Sequence, residues 1–258
     1  MNIHIIGGGN LGIAIAVGIA TYSKGNHITI TRRNSAQIQH LSQNGINVSS
    51  NNIEKIDKAD LIILTIKPYQ IDTVLNEILP HISNKIIASA VSGISLEILQ
   101  QKTKGAHSII RIMPNIAAQF AESATCISFS EQNKEAGEQV VSLFNHLGTA
   151  IVIEEKLMDA ATVLGACGTA YALRYIRASM QAGIEIGFDA QTALAIASQT
   201  AKGAAKMALD EKIHPEQLID RVTTPQGCTI VGLNEMEHQG FSSALIRGIK
   251  TSLQKIRE

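Results

Sequence analysis

The amino-acid sequence predicts an α/β fold in which a doubly wound sheet is followed by an all-helical module. Three observations carry this. The chain opens on an apolar strand that runs into a glycine-rich turn, Ile3-His4-Ile5-Ile6-Gly7-Gly8-Gly9-Asn10-Leu11-Gly12. Over roughly the first 150 residues, short apolar runs alternate with helical segments, an order that builds a parallel sheet covered on both faces. From Glu155 onward the apolar residues recur only at helical spacing.

The elements follow in order. Strands are expected at Ile3–Ile6, His27–Thr31, Leu61–Ile66, Lys85–Ala88, His107–Ile112, Ala124–Ser128 and Ala150–Ile153. Several are continuous apolar runs, as strands buried on both faces require. The last two are expected to pair antiparallel at the sheet edge. Helices are expected between them at Asn10–Tyr22, Ser35–Asn44, Tyr69–Leu79, Ser95–Gln101 and Lys134–Asn145. Helical spacing then runs through Leu157–Ala182, Ala190–Met207, Pro215–Asp220, Thr229–Met236 and Ser242–Arg257. These patterns give a Rossmann-type module over 1–154 and a helical module over 155–258. The Ala- and Gly-rich helices Ala160–Ala172 and Ala193–Ala208 have little bulk for a wide core of their own. Such helices pack closely against a second copy, so a homodimer through the helical module is expected, with a higher assembly of dimers left open.

Composition narrows the function classes. The 258 residues balance 22 Lys and Arg against 22 Asp and Glu, and 45% are hydrophobic. Neutral charge gives no support for a nucleic-acid or anionic-membrane partner. Aromatic residues are 3% and Trp is absent, which disfavours a base-stacking platform. Cys126, Cys167 and Cys228 are odd in number and lack CxxC spacing, so a reducing, cytoplasmic setting is expected and no metal site. A cleavable leader would have to destroy the glycine turn, and no apolar run is long enough to cross a bilayer. The eight histidines form no HxH or HxxxH pair, and His146, His214 and His238 read as capping or surface residues.

The first motif is a cofactor cradle. Gly7, Gly9 and Gly12 have the GxGxxG spacing of the dinucleotide fingerprint, with Gly8, Asn10 and Leu11 completing the turn and the helix start. The helix then presents free N–H groups to a pyrophosphate. An NAD-type site places Asp or Glu at the end of the second strand. This chain has Arg32 and Arg33 there, two guanidiniums suited to a 2′-phosphate, so NADPH is favoured and NADH is the second choice. Two later loops, Ile66-Lys67-Pro68 and Val91-Ser92-Gly93, lie at carboxyl ends of strands, where open α/β sheets bind ligands.

The second motif is Val222-Thr223-Thr224-Pro225-Gln226-Gly227-Cys228-Thr229-Ile230. A hydroxyl-bearing turn before a helix offers donors to a small carboxylate. The two motifs together suggest hydride transfer between a nicotinamide and a small acid.

At these residues the chain resembles the pyrroline-5-carboxylate reductase family. The match runs nearly end to end through Ile6–Leu11, Ile66-Lys67-Pro68, Ile110-Arg111-Ile112-Met113-Pro114-Asn115, Met158-Asp159-Ala160 with Gly168-Thr169-Ala170-Tyr171, Ala201–Met207 and Val222–Leu233. The resemblance implies a Rossmann domain followed by a helical domain that interlocks with a second subunit. It implies hydride attack from NAD(P)H on C5 of the cyclic imine 1-pyrroline-5-carboxylate, giving L-proline. It places Asn52 near the adenosine and Met113, Pro114 and Asn115 near the nicotinamide. It assigns the substrate carboxylate to Thr224 and the N–H groups of Gly227 and Cys228, and the ring nitrogen to the Thr229 hydroxyl. Cys228 is then a small filler rather than a nucleophile.

The departures set the alternatives. The family usually has Ser-Pro-Gly-Gly-x-Thr where this chain has Thr224-Pro225-Gln226-Gly227-Cys228-Thr229. Gln226 puts a side chain where glycine is usual, which calls for a changed turn and narrows the pocket. The interdomain helix usually reads Ser-Gly-Ser-Gly-Pro-Ala-Tyr; here it is Gly165-Ala166-Cys167-Gly168-Thr169-Ala170-Tyr171. These changes allow a reductase of another small cyclic imine, or a non-catalytic NADP-binding regulator. The 3-hydroxyacid dehydrogenases and ketopantoate-type reductases are disfavoured. They need a catalytic lysine, and Tyr171–Arg177 contains none.

Overall fold

A computed structural model describes residues 1–104 and 107–257. Its contacts form two compact units, Met1–Cys167 and Gly168–Ser252, with the residues from Leu253 onward counted with the first.

The first unit is built on an eight-stranded sheet: β1 (Asn2–Ile6), β2 (His27–Thr31), β3 (Asn47–Ser49), β4 (Leu61–Leu64), β5 (Ile86–Ser89), β6 (Ser108–Met113), β7 (Ser123–Phe129) and β8 (Gly148–Val152), in the order β3-β2-β1-β4-β5-β6-β7-β8. From β3 to β6 every pairing is parallel. Strand residues alternate between two cores. Ile3 and Ile5 of β1, Leu61 and Ile63 of β4, and Ile110 and Ile112 of β6 join a core with α1 (Asn10–Tyr22) and α4 (Lys134–Asn145). Ile6, Ile62, Leu64 and Ile109 join a second core with α2 (Ile71–Ile78) and Leu99 of α3 (Leu96–Lys102). Burial of both faces is why these strands read as unbroken apolar runs.

Two expectations need correction here. The last two strands, β7 and β8, pair parallel; the reversal lies between β6 and β7. The connections decide this. Between β7 and β8 the chain has room for the crossover helix α4, whereas β6 and β7 are joined by only a short 3₁₀ turn, Ile116–Phe120. The segment Ser35–Asn44, expected as an α-helix, forms a 3₁₀ helix. Its only buried residues, Ile38 and Leu41, are three apart, the repeat that stacks in a 3₁₀ turn. Strand β3 was not expected at all, being three residues long at the sheet edge.

The strands stop at Val152, but the first unit continues through a 3₁₀ turn (Glu155–Leu157), α5 (Met158–Ala161) and a π-helical turn (Thr162–Cys167). Met158, Thr162 and Val163 are buried, and these segments pack on β6 and β7. Arg111, 5% exposed on β6, donates from Nη1 to Glu155 Oε1 at 3.3 Å. The same oxygen accepts the Leu96 N–H at 2.5 Å, so one carboxylate ties β6 to the start of α3. The second unit holds α6 (Gly168–Glu185), α7 (Ala190–Glu211), α8 (Pro215–Arg221), α9 (Cys228–His238) and most of α10 (Phe241–Arg257). The single helix expected over Leu157–Ala182 is thus broken by the π-helical turn.

Candidate functional site

Parallel pairing from β3 to β6 brings the carboxyl ends of six strands to one edge of the sheet, with the topological switch between β1 and β4. That edge collects nearly all the expected cofactor residues, which follow β1 (Gly7 to Leu11), β2 (Arg32, Arg33), β3 (Asn52), β4 (Ile66 to Pro68), β5 (Val91 to Gly93) and β6 (Met113 to Asn115).

Within the glycine turn, each glycine has a different task. Gly7 sits at φ +113°, and a Cβ there would lie 2.7 Å from the Thr65 carbonyl oxygen. The Gly7 and Gly8 N–H groups both donate to the Thr31 carbonyl, at 3.1 and 2.7 Å. A Cβ on Gly12 would lie 2.2 Å from the Gly7 carbonyl oxygen, so helix α1 can approach the strand only with glycine there. Gly9 has open space beside it, and it caps α1, whose first turn carries no acidic side chain. An uncompensated helix start facing open space is what a pyrophosphate needs. The residues therefore fit a dinucleotide.

The adenosine end is more tied down than its residue types suggest. Arg32 Nη1 donates to the Gly8 carbonyl at 2.8 Å, which fixes the guanidinium to the glycine turn, while Arg33 is exposed. Asn52 accepts from Thr31 Oγ1 at 2.6 Å and donates to Glu77 Oε2 at 2.9 Å. Glu77, on α2, gave no signal in the sequence, because only the crossover brings it to β3. Thr65 was missed as well: expected inside a strand, it turns out of β4 and donates from Oγ1 to the Gly7 carbonyl at 2.8 Å. The expected strand Leu61–Ile66 therefore ends at Leu64.

Lys67 and Pro68 are exposed and Ile66 is half-buried; Gln70 Oε1 accepts the Lys67 N–H at 3.0 Å. Val91 is buried, Ser92 half-buried, and Gly93 is left-handed at φ +73°. Met113, Pro114 and Asn115 are all buried. The Asn115 side chain is bonded within the protein at both ends: Oδ1 accepts the Ala117 N–H at 2.9 Å, and Nδ2 donates to the Gly165 carbonyl at 3.1 Å.

The second unit carries the other motif. Thr224-Pro225-Gln226-Gly227 forms a turn closed by the Gly227 N–H donating to the Thr224 carbonyl at 3.0 Å. Pro225 precedes Gln226 at φ +61°, the pattern of a type II turn. The third position of that turn favours glycine, so Gln226 sits there at a cost in backbone strain. This corrects one expectation: the Gly227 N–H is used by the turn, which leaves Cys228 and Thr229, the first two residues of α9, to present helix-start N–H groups. Thr224, Cys228 and Thr229 are exposed.

Titration adds little to either motif. Burial pushes the Cys126 thiol up, away from thiolate chemistry. His4, 1% exposed in β1, is pushed down to about 4, with burial the largest cause, opposed by a backbone hydrogen bond at Asn52 and the charge of Glu54. Among the described residues no group of three His, Cys, Asp or Glu side chains could hold a metal ion. Nor, among the described residues, is any helix long and apolar enough to cross a membrane.

A glycine cradle at the switch point of a parallel sheet, with a helical module after it, defines a dinucleotide-dependent oxidoreductase. Residues 2–93 match the family described as NADP oxidoreductase coenzyme F420-dependent, and residues 155–258 match pyrroline-5-carboxylate reductase dimerisation. Pyrroline-5-carboxylate reductase 2 of Dictyostelium discoideum is 43% identical over 98% of this chain and 91% of its own. Pyrroline-5-carboxylate reductase 1 of the same organism is 42% identical over 98% of this chain, which spans only 49% of that protein's length. The solved Plasmodium falciparum pyrroline carboxylate reductase with NADP bound superposes with a TM-score of 0.86 at 26% identity, covering 99% of this chain and 97% of that one. The chain belongs to the pyrroline-5-carboxylate reductase family.

Proposed function

We propose that the chain reduces 1-pyrroline-5-carboxylate to L-proline, taking hydride from NADPH in preference to NADH. The observation that carries this reading is the Thr224–Thr229 turn: hydroxyls and helix-start N–H groups exposed at α9, inside the region matched by the dimerisation family. A carboxylate is the natural ligand of such a start. The relatives' names supply the rest of the substrate.

In this reading Gly7, Gly8, Gly9, Asn10 and Leu11 hold the pyrophosphate, Arg32 and Arg33 the 2′-phosphate, and Asn52 the adenosine side. Ile66, Lys67, Pro68, Val91, Ser92 and Gly93 line the path along the strand ends, and Met113, Pro114 and Asn115 close the nicotinamide end. Thr224 and the Cys228 N–H take the substrate carboxylate. The cofactor, when bound, supplies a hydride. What the chain supplies is orientation and polarisation: the Thr229 hydroxyl accepts the N–H of the protonated imine, which keeps C5 electron-poor until the C–H bond forms and the nitrogen becomes an amine. No side chain need be a strong acid or base.

We place the functional division at 154/155, where the strands have ended and the dimerisation family begins. A homodimer through the helical module is supported by its surface: among the described residues of Gly168–Ser252 only Ala193, Ala197 and Leu218 are buried apolar side chains. Leu209, Val231 and Ile246 stand exposed. The free thiols of Cys126, Cys167 and Cys228 support a cytoplasmic, reducing setting.

The test is steady-state oxidation of NADPH, then of NADH, with 1-pyrroline-5-carboxylate, and identification of proline as product. Turnover supports the reading and ranks the cofactors. Tight cofactor binding without turnover overturns it in favour of another cyclic imine or a regulator.

A further inference from the structure

We infer that Asn115 is a positioning residue for hydride transfer, acting by pinning the π-helical turn Thr162–Cys167 beside the carboxyl end of β6 rather than by lending its amide to the cofactor. The inference rests on the reading of Met113–Asn115 as the nicotinamide end.

Burial and four hydrogen bonds meet at this residue. Asn115 is 9% exposed. Its N–H donates to Ser123 Oγ at 3.1 Å, its carbonyl accepts the Ala118 N–H at 3.1 Å, and its Oδ1 caps the 3₁₀ turn through the Ala117 N–H. Its Nδ2 then reaches fifty residues along the chain to the Gly165 carbonyl. Half of the side chain's hydrogen-bonding capacity, one amide hydrogen and one Oδ1 lone pair, is thus spent on the protein itself, at Gly165 and Ala117.

The target of that bond is the second point. π-helical turns are rare, insert one residue into a helix, and recur at functional sites. Here the turn is the last element of the first unit, and it breaks what the periodicity reads as one helix. Thr162 and Val163 are buried on one side of it, and Thr162 Oγ1 donates back to the Met158 carbonyl at 2.8 Å. Gly165, Ala166 and Cys167 are half-buried and small. A carbonyl displaced from helical register lies where a neighbouring amide can take it, and Asn115 does so. The end of β6 and the Gly165–Cys167 wall are thereby held as one piece. A reacting ring placed against that wall has its position set by this hydrogen bond, and a shift of about 1 Å in such a position costs on the order of a hundredfold in rate.

Asn115→Asp tests this. Aspartate keeps the acceptor for the Ala117 N–H but presents oxygen to the Gly165 carbonyl. The expected result is a drop in kcat of about tenfold or more, with NADPH Kd, measured from nicotinamide fluorescence, within about twofold of wild type. The deuterium isotope effect on kcat with 4-deuterated NADPH should rise, as hydride transfer becomes limiting. Amide exchange over 162–167 should quicken with NADPH absent or present. Asn115→Ser, which can still cap the 3₁₀ turn, should behave alike if the aspartate variant proves unstable. A raised NADPH Kd with unchanged kcat would make Asn115 a cofactor ligand and overturn the inference. So would unchanged exchange over 162–167. The exchange measurement needs no substrate, so it stands apart from failure of the pyrroline-5-carboxylate reading, which wild-type turnover decides.

Discussion

The two units handle apolar surface in opposite ways. In Met1–Cys167, two cores cover both faces of the sheet, and Ile5, Ile15, Ile63 and Phe144 are fully buried. In Gly168–Ser252 Leu218 alone among the large apolar side chains is buried; the others are half-buried or exposed, Ile186 at 76% and Leu209 at 71%. Close packing exists there: a Cβ on Gly183 would lie 2.9 Å from that of Ala193. Yet helices built from alanine and glycine cannot enclose their own bulky residues. The contrast teaches that a high apolar content makes a core only where topology supplies a second layer. The sheet has its layers within one chain; we propose that the helices take theirs from a second copy.

The sharpest test sets one residue from each unit side by side. Ile63→Ala should cost about 2–5 kcal/mol at any protein concentration, since it empties a core. The double change Ile196→Asp with Met236→Asp should instead shift light-scattering mass to the monomer and abolish turnover, by placing charge in a surface that must be buried. A monomeric wild type would end the comparison. Next in size is the pH response of His4. Its folded pKa, about 4, lies below the ordinary value of 6.5, so the unfolded chain binds the proton first as pH falls. Stability is complete above pH about 6.5 and declines toward pH 4, by about 3 kcal/mol in all. Chemical denaturation of His4→Gln across that window should show a flatter slope than wild type.

Smaller effects separate the two half-sites. Thr229→Ala should lower kcat about ten- to a hundredfold while NADPH affinity stays near wild type, because only the imine loses a partner. Arg32→Ala with Arg33→Ala should do the converse, weakening NADPH about tenfold and NADH far less, read by titration of each cofactor. Equal losses for both would take the 2′-phosphate away from these arginines. Smallest, Gln226→Gly should stabilise the helical module by about 1 kcal/mol in thermal unfolding, since glycine accepts φ +61° without strain.

Much of the fold was legible because the signals were local. α1 and α4 follow their expected bounds, and the spacing of Gly7, Gly9 and Gly12 reports a turn in which the structure shows close approaches at Gly7 and Gly12 and open space at Gly9. Errors arose where a neighbour decides. Ser35–Asn44 has only two anchors, and packing at a three-residue interval selected the tighter helix. Glu155 carries no long-range signal in the sequence; in the fold it joins Arg111 to the Leu96 N–H. Glu77 and Thr65 are ordinary residues in sequence, and only the crossover and the strand end place them against Asn52 and Gly7.

By itself the sequence determined the alternation of strands and helices, the glycine cradle, the arginines after the second strand and the hydroxyl turn before α9. Each depends on side-chain period or backbone freedom within a few residues. Tertiary structure alone decided that the sheet reverses between β6 and β7 and that Asn115 reaches Gly165 through a broken helix. These join residues far apart in the chain. Their hydrogen bonds form only after the layers have packed and excluded water, so no local pattern records them.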